Sequence, residues 1–557
     1  MMEFLWTTIL VSFFTLILWL LPKLFTARNF FTKLRAQGLP MPPHNFLAGH
    51  LIELSNAMKG LPTDALKVYF FAALSRQYSR NGAFYLDLYP FAAPFLVITS
   101  PFLANQAVQS TPVACRKPDA LRTWFWSITG GISLFDAEYD EWKDLRGLFA
   151  RGFSNKYLVG LVPGIVDEVG TYTSGLREKA RSGEMIELDG INLRFMIDLI
   201  GNTALNAKLN AQKGYNPLAD TMLNQIKSKL ANQEVNMLQW LNFVRPIKEW
   251  LNGRKMDAYI NEELDKRFEI YKLSKNSEGN GHLNEKPETF QSIIDLVIED
   301  YMADPAQRNA TKLDETFRTI ATRNVRLLLF AGHDSTGSAI SWCYYLLSKN
   351  PSALDKLIQE HDAVFGTDIG TLPELIKENS TLLNQLPYTT AVIKETLRLF
   401  PPASSIRQGM RGVNLVDEEG NTYPTENCMV YMLHLPIQHD AKYWVRPKEF
   451  LPERWLAQAG DELYCDVKGA WRPFELGPRN CIGQAMVMME MKIILAMVVR
   501  ELDVRDAYGE WDEKFARKEK GVKEIDGERA YQVDGGAAHP ADGFPCRVRF
   551  RKAKRSV

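Results

Sequence analysis

The chain has 557 residues, 46% hydrophobic and 24% charged, with 66 basic and 66 acidic side chains. That length can bury a large core, and a formal net charge of zero gives no reason to expect nucleic acid as a partner. Six cysteines lie far apart without a Cys-x-x-Cys pair, which indicates neither a zinc site nor a disulfide framework and fits a reducing compartment.

At the amino end, Phe4 to Leu21 is a stretch of 18 residues without a charge. As a helix it extends about 27 Å, close to the ~30 Å hydrocarbon core of a bilayer. Glu3 precedes it, while Lys23, Arg28, Lys33 and Arg35 follow with no acid before Glu53. The positive-inside rule therefore places everything after Pro22 in the cytosol. Residues 1–22 read as an uncleaved transmembrane anchor. Residues 23–45 read as a basic, proline-rich hinge, because Gly38-Leu-Pro40-Met-Pro42-Pro43 cannot continue a helix. No low-complexity linker or internal repeat divides the remainder of the chain, so 46–557 is expected to be one large domain.

The pattern beyond the hinge is mainly helical with small β-sheets. Residues 272–286, rich in Ser, Asn, Gly and Lys, read as a surface loop. Residues 314–348 carry an apolar band without proline and predict a long buried helix that Gly332 interrupts. Arg411 to Tyr423, turning at Asp417 to Asn421, and Met429 to Leu433 read together as a small sheet. Residues 506–545 shift to charged and then Gly- and Ala-rich composition, expected for a surface insertion, before Pro545 to Phe550 resumes as a strand.

The most informative segment is Phe474-Glu-Leu-Gly477-Pro-Arg479-Asn-Cys481-Ile-Gly483. A thiolate that ligates iron beside a flat macrocycle needs a tight loop, which Gly477 and Gly483 permit. Arg479 can meet a cofactor carboxylate, Phe474 can shield the sulfur from water, and a helix starting near Gln484 would help keep the thiolate ionised. Upstream, in order, stand Trp142-Lys-Asp-Leu-Arg146, Ala331-Gly-His-Asp334-Ser335-Thr336, Glu395-Thr-Leu-Arg398 and Pro452-Glu-Arg454-Trp455. A second Glu-x-x-Arg, Glu178 to Arg181, has no such company.

This ordered set closely resembles the cytochrome P450 family, of the membrane-anchored microsomal type. The carboxyl end further resembles fungal members that tailor secondary metabolites, polyketides and mycotoxins among them. The resemblance implies the P450 fold over about residues 35 to 505, haem b as cofactor, and Cys481 as the axial metal ligand. Trp142, Arg146, Arg407, Phe474, Gly477, Arg479 and Gly483 would bind the cofactor. Glu395, Arg398 and Arg454 would form the buried structural triad, with Trp455 where Phe is more usual. Asp334, Ser335 and Thr336 would serve proton delivery, Ser335 replacing the usual threonine. Gly332 would lie where the central helix opens over the haem.

The implied activity is that of a monooxygenase inserting one oxygen atom from O2 into a small lipophilic substrate. Its implied partners are NADPH-cytochrome P450 reductase, with cytochrome b5 as an additional candidate, and membrane lipid, in the endoplasmic reticulum membrane with the catalytic domain facing the cytosol. A P450-fold isomerase or dehydratase that needs no external electrons, and a membrane-tethered haem-binding sensor, are the alternatives. Candidate pocket walls are Leu121 to Phe135, Trp240 to Trp250, Ala331 to Gly332 and Ala403 to Ile406.

Overall fold

In the computed structural model, residues 2–230, 242–279, 291–515 and 523–551 are described. Residues 240–241 of one expected pocket wall and 280–286 of the expected surface loop lie outside them. The remainder of that loop, Lys272 to Gly279, is instead the end of a long helix, Val244–Gly279. Its Lys and Glu content sustains helical geometry through about two more turns than the Ser and Asn residues suggest.

The amino end is one helix, Met2–Ala36, which continues through Pro22. Of residues 4–21, only the side chains of Trp6, Thr7, Thr15, Leu18, Trp19 and Leu21 are described, so most of the expected span falls outside. Among the described residues no helix is long and apolar enough to cross a membrane. The basic half of the expected hinge is helical and docked. Arg28, Phe31 and Leu34, spaced three apart on one face, are all buried. Arg28 Nη1 meets Asp87 Oδ2 at 2.5 Å, and the same carboxylate oxygen lies 2.8 Å from His44 Nε2. The chain turns into extended structure only beyond Gly38, whose φ is +73°.

The apolar residues at the end of this helix pack on a four-stranded sheet. Ala83–Leu86 pairs antiparallel with Phe95–Ile98, which runs parallel to Met429–Met432, which in turn pairs antiparallel with Ser405–Gln408. Met429–Met432 therefore belongs here, and Asn414–Val416 with Thr422–Pro424 forms a separate hairpin. A run of apolar residues cannot declare its partner strand. Along Ser405–Gln408 burial alternates, which turns Ser405 and Arg407 to the interior.

The central helix, Glu315–Lys349, is capped by Asp314, which accepts from Phe317 N at 2.8 Å. It is unbroken at Gly332. A Cβ at that position would lie 2.6 Å from Ile200 Cδ1, so the glycine permits close packing against the helix Leu188–Leu205 rather than an opening.

The carboxyl end departs most from expectation. Pro545–Phe550 does form a strand, between Met185–Glu187 and Leu502–Asp506. Within 506–545, however, Ala530 to Gln532 and Ala537 to Ala541 are buried, and a hairpin of Gln532–Asp534 with Ala538–Pro540 lies against the central helix. Ser338 Oγ and Trp342 Nε1 both donate to Ala538 O, at 2.6 and 3.1 Å. Small residues here serve close packing, not solvent exposure. The intervening residues 516–522 lie outside the described set.

Candidate active site

Two turns of backbone hold Cys481. Its N–H donates to Phe474 O at 2.9 Å, and Asn480 N donates to Gly477 O at 3.2 Å. Gly477 has φ +78°, and a Cβ there would stand 2.0 Å from Val108 O, so glycine is required by the neighbouring backbone. Gly483 is different. It precedes the helix Gln484–Val498 with φ −84°, and a Cβ would meet only Phe153 and the Cys481 sulfur, at 3.8 and 3.9 Å. Among the described residues no atom crowds this position, so a small residue leaves room beside the sulfur.

Cys481 is exposed. The protein around it still desolvates the thiol and pushes it up, opposed by the amides of Gly483 and Gln484 and by the charge of Arg146. Arg146 clasps the loop, donating to Asn480 O at 2.9 Å and to Asn480 Oδ1 at 3.1 Å. Trp142 is buried and carries the Arg479 guanidinium over its ring at 5.0 Å.

Arg479 also donates to Ala137 O at 2.5 Å, and Arg407 donates to Ala114 O at 2.9 Å and Ser405 Oγ at 2.7 Å. Sequence reasoning missed the third cation near them. Lys117, whose Nζ lies 4.6 Å from the Phe135 ring centre, is held well below the ordinary lysine range by burial and then by Arg407 and Arg479. Nothing but a spatial neighbour distinguishes this lysine from a surface one.

Beneath the loop, Glu395 and Arg398 are fully buried and joined by two bonds, Nε to Oε2 at 2.9 Å and Nη2 to Oε1 at 2.8 Å. Arg454 Nε reaches Glu395 Oε1 at 2.9 Å. Gln438 links this group to the loop, donating to Arg398 O at 2.8 Å and accepting from Arg472 N at 2.9 Å. Arg472 in turn pairs with Glu475, whose carboxyl is held well below its usual range despite burial by His434, Arg472 and Arg407. Glu178 and Arg181, by contrast, lie on the helix Asn155–Ser182, far from this group in sequence and joined to none of its members.

On the central helix, Ala331 is exposed and Gly332 and Ser335 are half-buried, in a stretch where most neighbours are covered. Ser335 Oγ donates to Ala331 O at 2.8 Å. Thr336 faces the other way, is 1% exposed, and its Oγ1 has no hydrogen-bond partner among the described residues. His333 is buried with Nδ1 at 2.6 Å from Leu329 O. Asp334 is buried too, turned to the carboxyl-terminal hairpin, where Ala537 N donates to Oδ2 at 2.5 Å. Trp124, Phe125 and Phe135 of one expected wall do cluster with Phe330 of the central helix, whereas Trp126 is exposed.

Residues 42–523 match the family model described as Cytochrome P450. The chain belongs to the cytochrome P450 family. It is 38% identical over 531 residues to cytochrome P450 monooxygenase polC of Polytolypa hystricis, a match covering 95% of this chain and 92% of that one. It is 31% identical over 494 residues to cytochrome P450 monooxygenase acrF of Aspergillus aculeatus, covering 85% and 95%. A cytochrome P450 crystal structure, CYP102L1, shares the fold with a TM-score of 0.65 at 19% identity, over 87% of this chain and 95% of that one. This P450 is a monooxygenase, and its cofactor is haem held by a cysteine thiolate.

The residues present fit that group. The exposed Cys481 would supply the ligand, and the uncrowded face of Gly483 would leave space for a flat ring beside it. Arg407 and Arg479 both oppose charge on Lys117, with Glu475 and Asp136 acting the other way, and the anionic carboxylates of haem would favour that charge.

Proposed function

We propose that this P450 inserts one oxygen atom from O2 into a small lipophilic substrate, as a tailoring step in secondary metabolism. The observation that carries the reading is the division of labour on the central helix. Ala331 and Ser335 are open while Asp334 and Thr336 are buried behind them, in a chain whose Cys481 is also exposed. When bound, a haem held by the Cys481 thiolate would supply the chemistry that activates O2.

The chain's own residues do the rest. Cys481 donates its thiolate, and the amides of Gly483 and Gln484 stabilise the negative charge. Lys117, Arg407 and Arg479 bind the cofactor carboxylates, and Trp142 braces Arg479 from behind. Arg146, through Asn480, and the triad of Glu395, Arg398 and Arg454, through Gln438, keep the loop in register. Ser335 moves a proton at its Oγ, supplied by way of Asp334. The aromatic group of Trp124, Phe125, Phe135 and Phe330 excludes water and favours an apolar ligand.

Electrons come from NADPH-cytochrome P450 reductase, and the helix Met2–Ala36 anchors the enzyme in the endoplasmic reticulum membrane with the catalytic domain facing the cytosol. The exposed apolar side chains of Trp6, Leu18, Trp19, Leu21 and Phe25 support that anchorage. The test is to compare metabolites of the native host with and without the enzyme, then to reconstitute the reaction with the reductase. The expected product carries one more oxygen atom than its precursor and depends on NADPH and reductase. Turnover without reductase would overturn the monooxygenase reading, and Cys481→Ala should abolish both product and the reduced carbon-monoxide band of a thiolate-bound haem.

A further inference from the structure

Asp334 occupies the acid position of the oxygen-activation motif, yet its carboxylate is 3% exposed and is enclosed by the carboxyl-terminal hairpin. Its Oδ1 lies 3.2 Å from His539 Nε2, and His539 Nδ1 lies 2.8 Å from Asp189 Oδ2. The imidazole is 4% exposed and thus bridges two buried carboxyl groups from separate helices. An ionised carboxylate only accepts hydrogen bonds, so satisfying both contacts requires a proton on each ring nitrogen.

The hairpin is shaped around this bridge. A Cβ at Gly535 would stand 2.2 Å from His539 Cδ2, and one at Gly536, where φ is +104°, would stand 2.7 Å from Asp334 Oδ2. Asp189 is fixed from its other side by Ser341 Oγ at 2.8 Å.

We propose that His539 is a positioning residue for proton delivery, holding a proton between Asp189 and Asp334 where the Asp334 carboxyl can draw on it. The inference rests on the reading of Asp334 and Ser335 as the proton-delivering pair. In the step, the Nε2–H bond of the imidazolium breaks and an Oδ1–H bond forms on Asp334. The ring keeps its Nδ1 proton towards Asp189 and becomes neutral. Asp334 then releases that proton on the Ser335 side of the helix and returns to its carboxylate, and the ring regains its charge by taking one proton from solvent acid, hydronium or a protonated buffer. No electrons move.

Burial opposes charge on His539, but Asp189 and Asp334 outweigh it and raise the ring well above the usual histidine range. The other groups facing it are Asp534, raised by burial, and His333, lowered by burial, with Lys67 acting on Asp534. The two carboxyl groups thus favour the imidazolium that the geometry of the bridge requires.

The experiment uses the holoenzyme with a diflavin reductase and no added substrate, and reads peroxide released per NADPH consumed. His539→Gln keeps a hydrogen-bonding side chain that cannot carry a proton. It should raise the peroxide share on the order of tenfold, less than a directly acting general acid contributes, and make it climb with pH. A purely structural His539 would show in His539→Gln as a lowered Tm, with the peroxide share and its pH profile unchanged. Wild-type peroxide yield and a flat pH profile in His539→Gln would overturn the proposal, provided that Asp334→Asn does raise peroxide; if Asp334→Asn is also silent, the reading of the acid–alcohol pair fails with it. A second measurement needs no variant. In the reduced, carbon-monoxide-bound protein with nitrogen-labelled histidine, one of the eight histidines should have both ring nitrogens protonated at pH 8. Eight neutral rings at that pH would overturn it equally.

Discussion

The indole N–H of Trp455 donates to Glu395 Oε2 at 3.0 Å. The residue that departs from the family's usual phenylalanine thus adds a donor to the buried carboxylate, which already receives Arg398, Arg454 and the amide of Leu451. The Trp455 ring also lies 5.5 Å from Trp471, which meets Phe474 of the cysteine loop at 6.0 Å. Packing as well as charge therefore connects the triad to the thiolate.

Trp455→Phe should keep the ring contacts and lose one charge-assisted bond, costing about 1.5–3 kcal/mol at most, because Oε2 retains Arg398. Glu395→Ala should be far worse, about 3–5 kcal/mol, since two arginines stay buried without their partner. Thermal unfolding and haem content should separate the two: a lowered Tm with haem retained for the first, and loss of haem for the second.

Arg28 offers a parallel case at the amino end. Besides Asp87 it donates to Phe46 O, Leu47 O and Tyr89 O, so Arg28→Ala removes four bonds and leaves the buried Asp87 with only His44 and the amide of Tyr89 as partners among the described residues. The expected loss is about 3–5 kcal/mol, seen as a lower Tm and as faster proteolysis between the helix Met2–Ala36 and the domain. Unchanged proteolysis would mean that the apolar contacts of Phe31 and Leu34 hold the helix by themselves.

Glu490 lies fully buried on the helix after the thiolate, with neither oxygen partnered among the described residues, and burial raises its carboxyl to about 8. A raised folded-state value means that the ionisation-linked cost vanishes below the unfolded value of about 4.5, and that stability is lost as pH rises from there to about 8. Glu490→Met should therefore leave Tm little changed at pH 5 and raise it at pH 7.5, the gain growing by up to ~1.4 kcal/mol per pH unit. A gain independent of pH would show that the carboxyl is ionised in the fold.

The cysteine loop, the triad and the central helix were legible because each carries a dense local pattern. Cys481 with its glycines, and Glu395 with Arg398 one helical turn later, state their geometry within a few residues. Lys117, Asp189 and His539 were not legible. Each is an ordinary residue in its own segment, and its meaning arises from neighbours that are hundreds of positions away in the case of Asp189 and His539. The 506–545 segment misled for a related reason. Gly535, Gly536 and Ala537 look like a flexible surface turn by composition, but the same small side chains are what lets backbone approach Asp334. Gly332 likewise reads as a weakened helix until Ile200 is seen against it.

Ser335 and Thr336 give the sharpest test of the distal side. Their directions differ by about 100° on a helix, which matches one hydroxyl on the open side and one buried. Ser335→Ala should leave haem binding, reduction and Tm nearly unchanged while diverting NADPH equivalents into peroxide, because only a group facing the open space can pass a proton there. Thr336→Val replaces a buried hydroxyl that has no partner among the described residues with a methyl of similar shape, so Tm should hold or rise by about 1 kcal/mol equivalent and coupling should stay intact. Product or water formed per NADPH, with peroxide assayed in parallel, checks both. Peroxide leaking from Thr336→Val but not from Ser335→Ala would mean that the helix turns about its axis when haem and oxygen bind, bringing Thr336 to the open side.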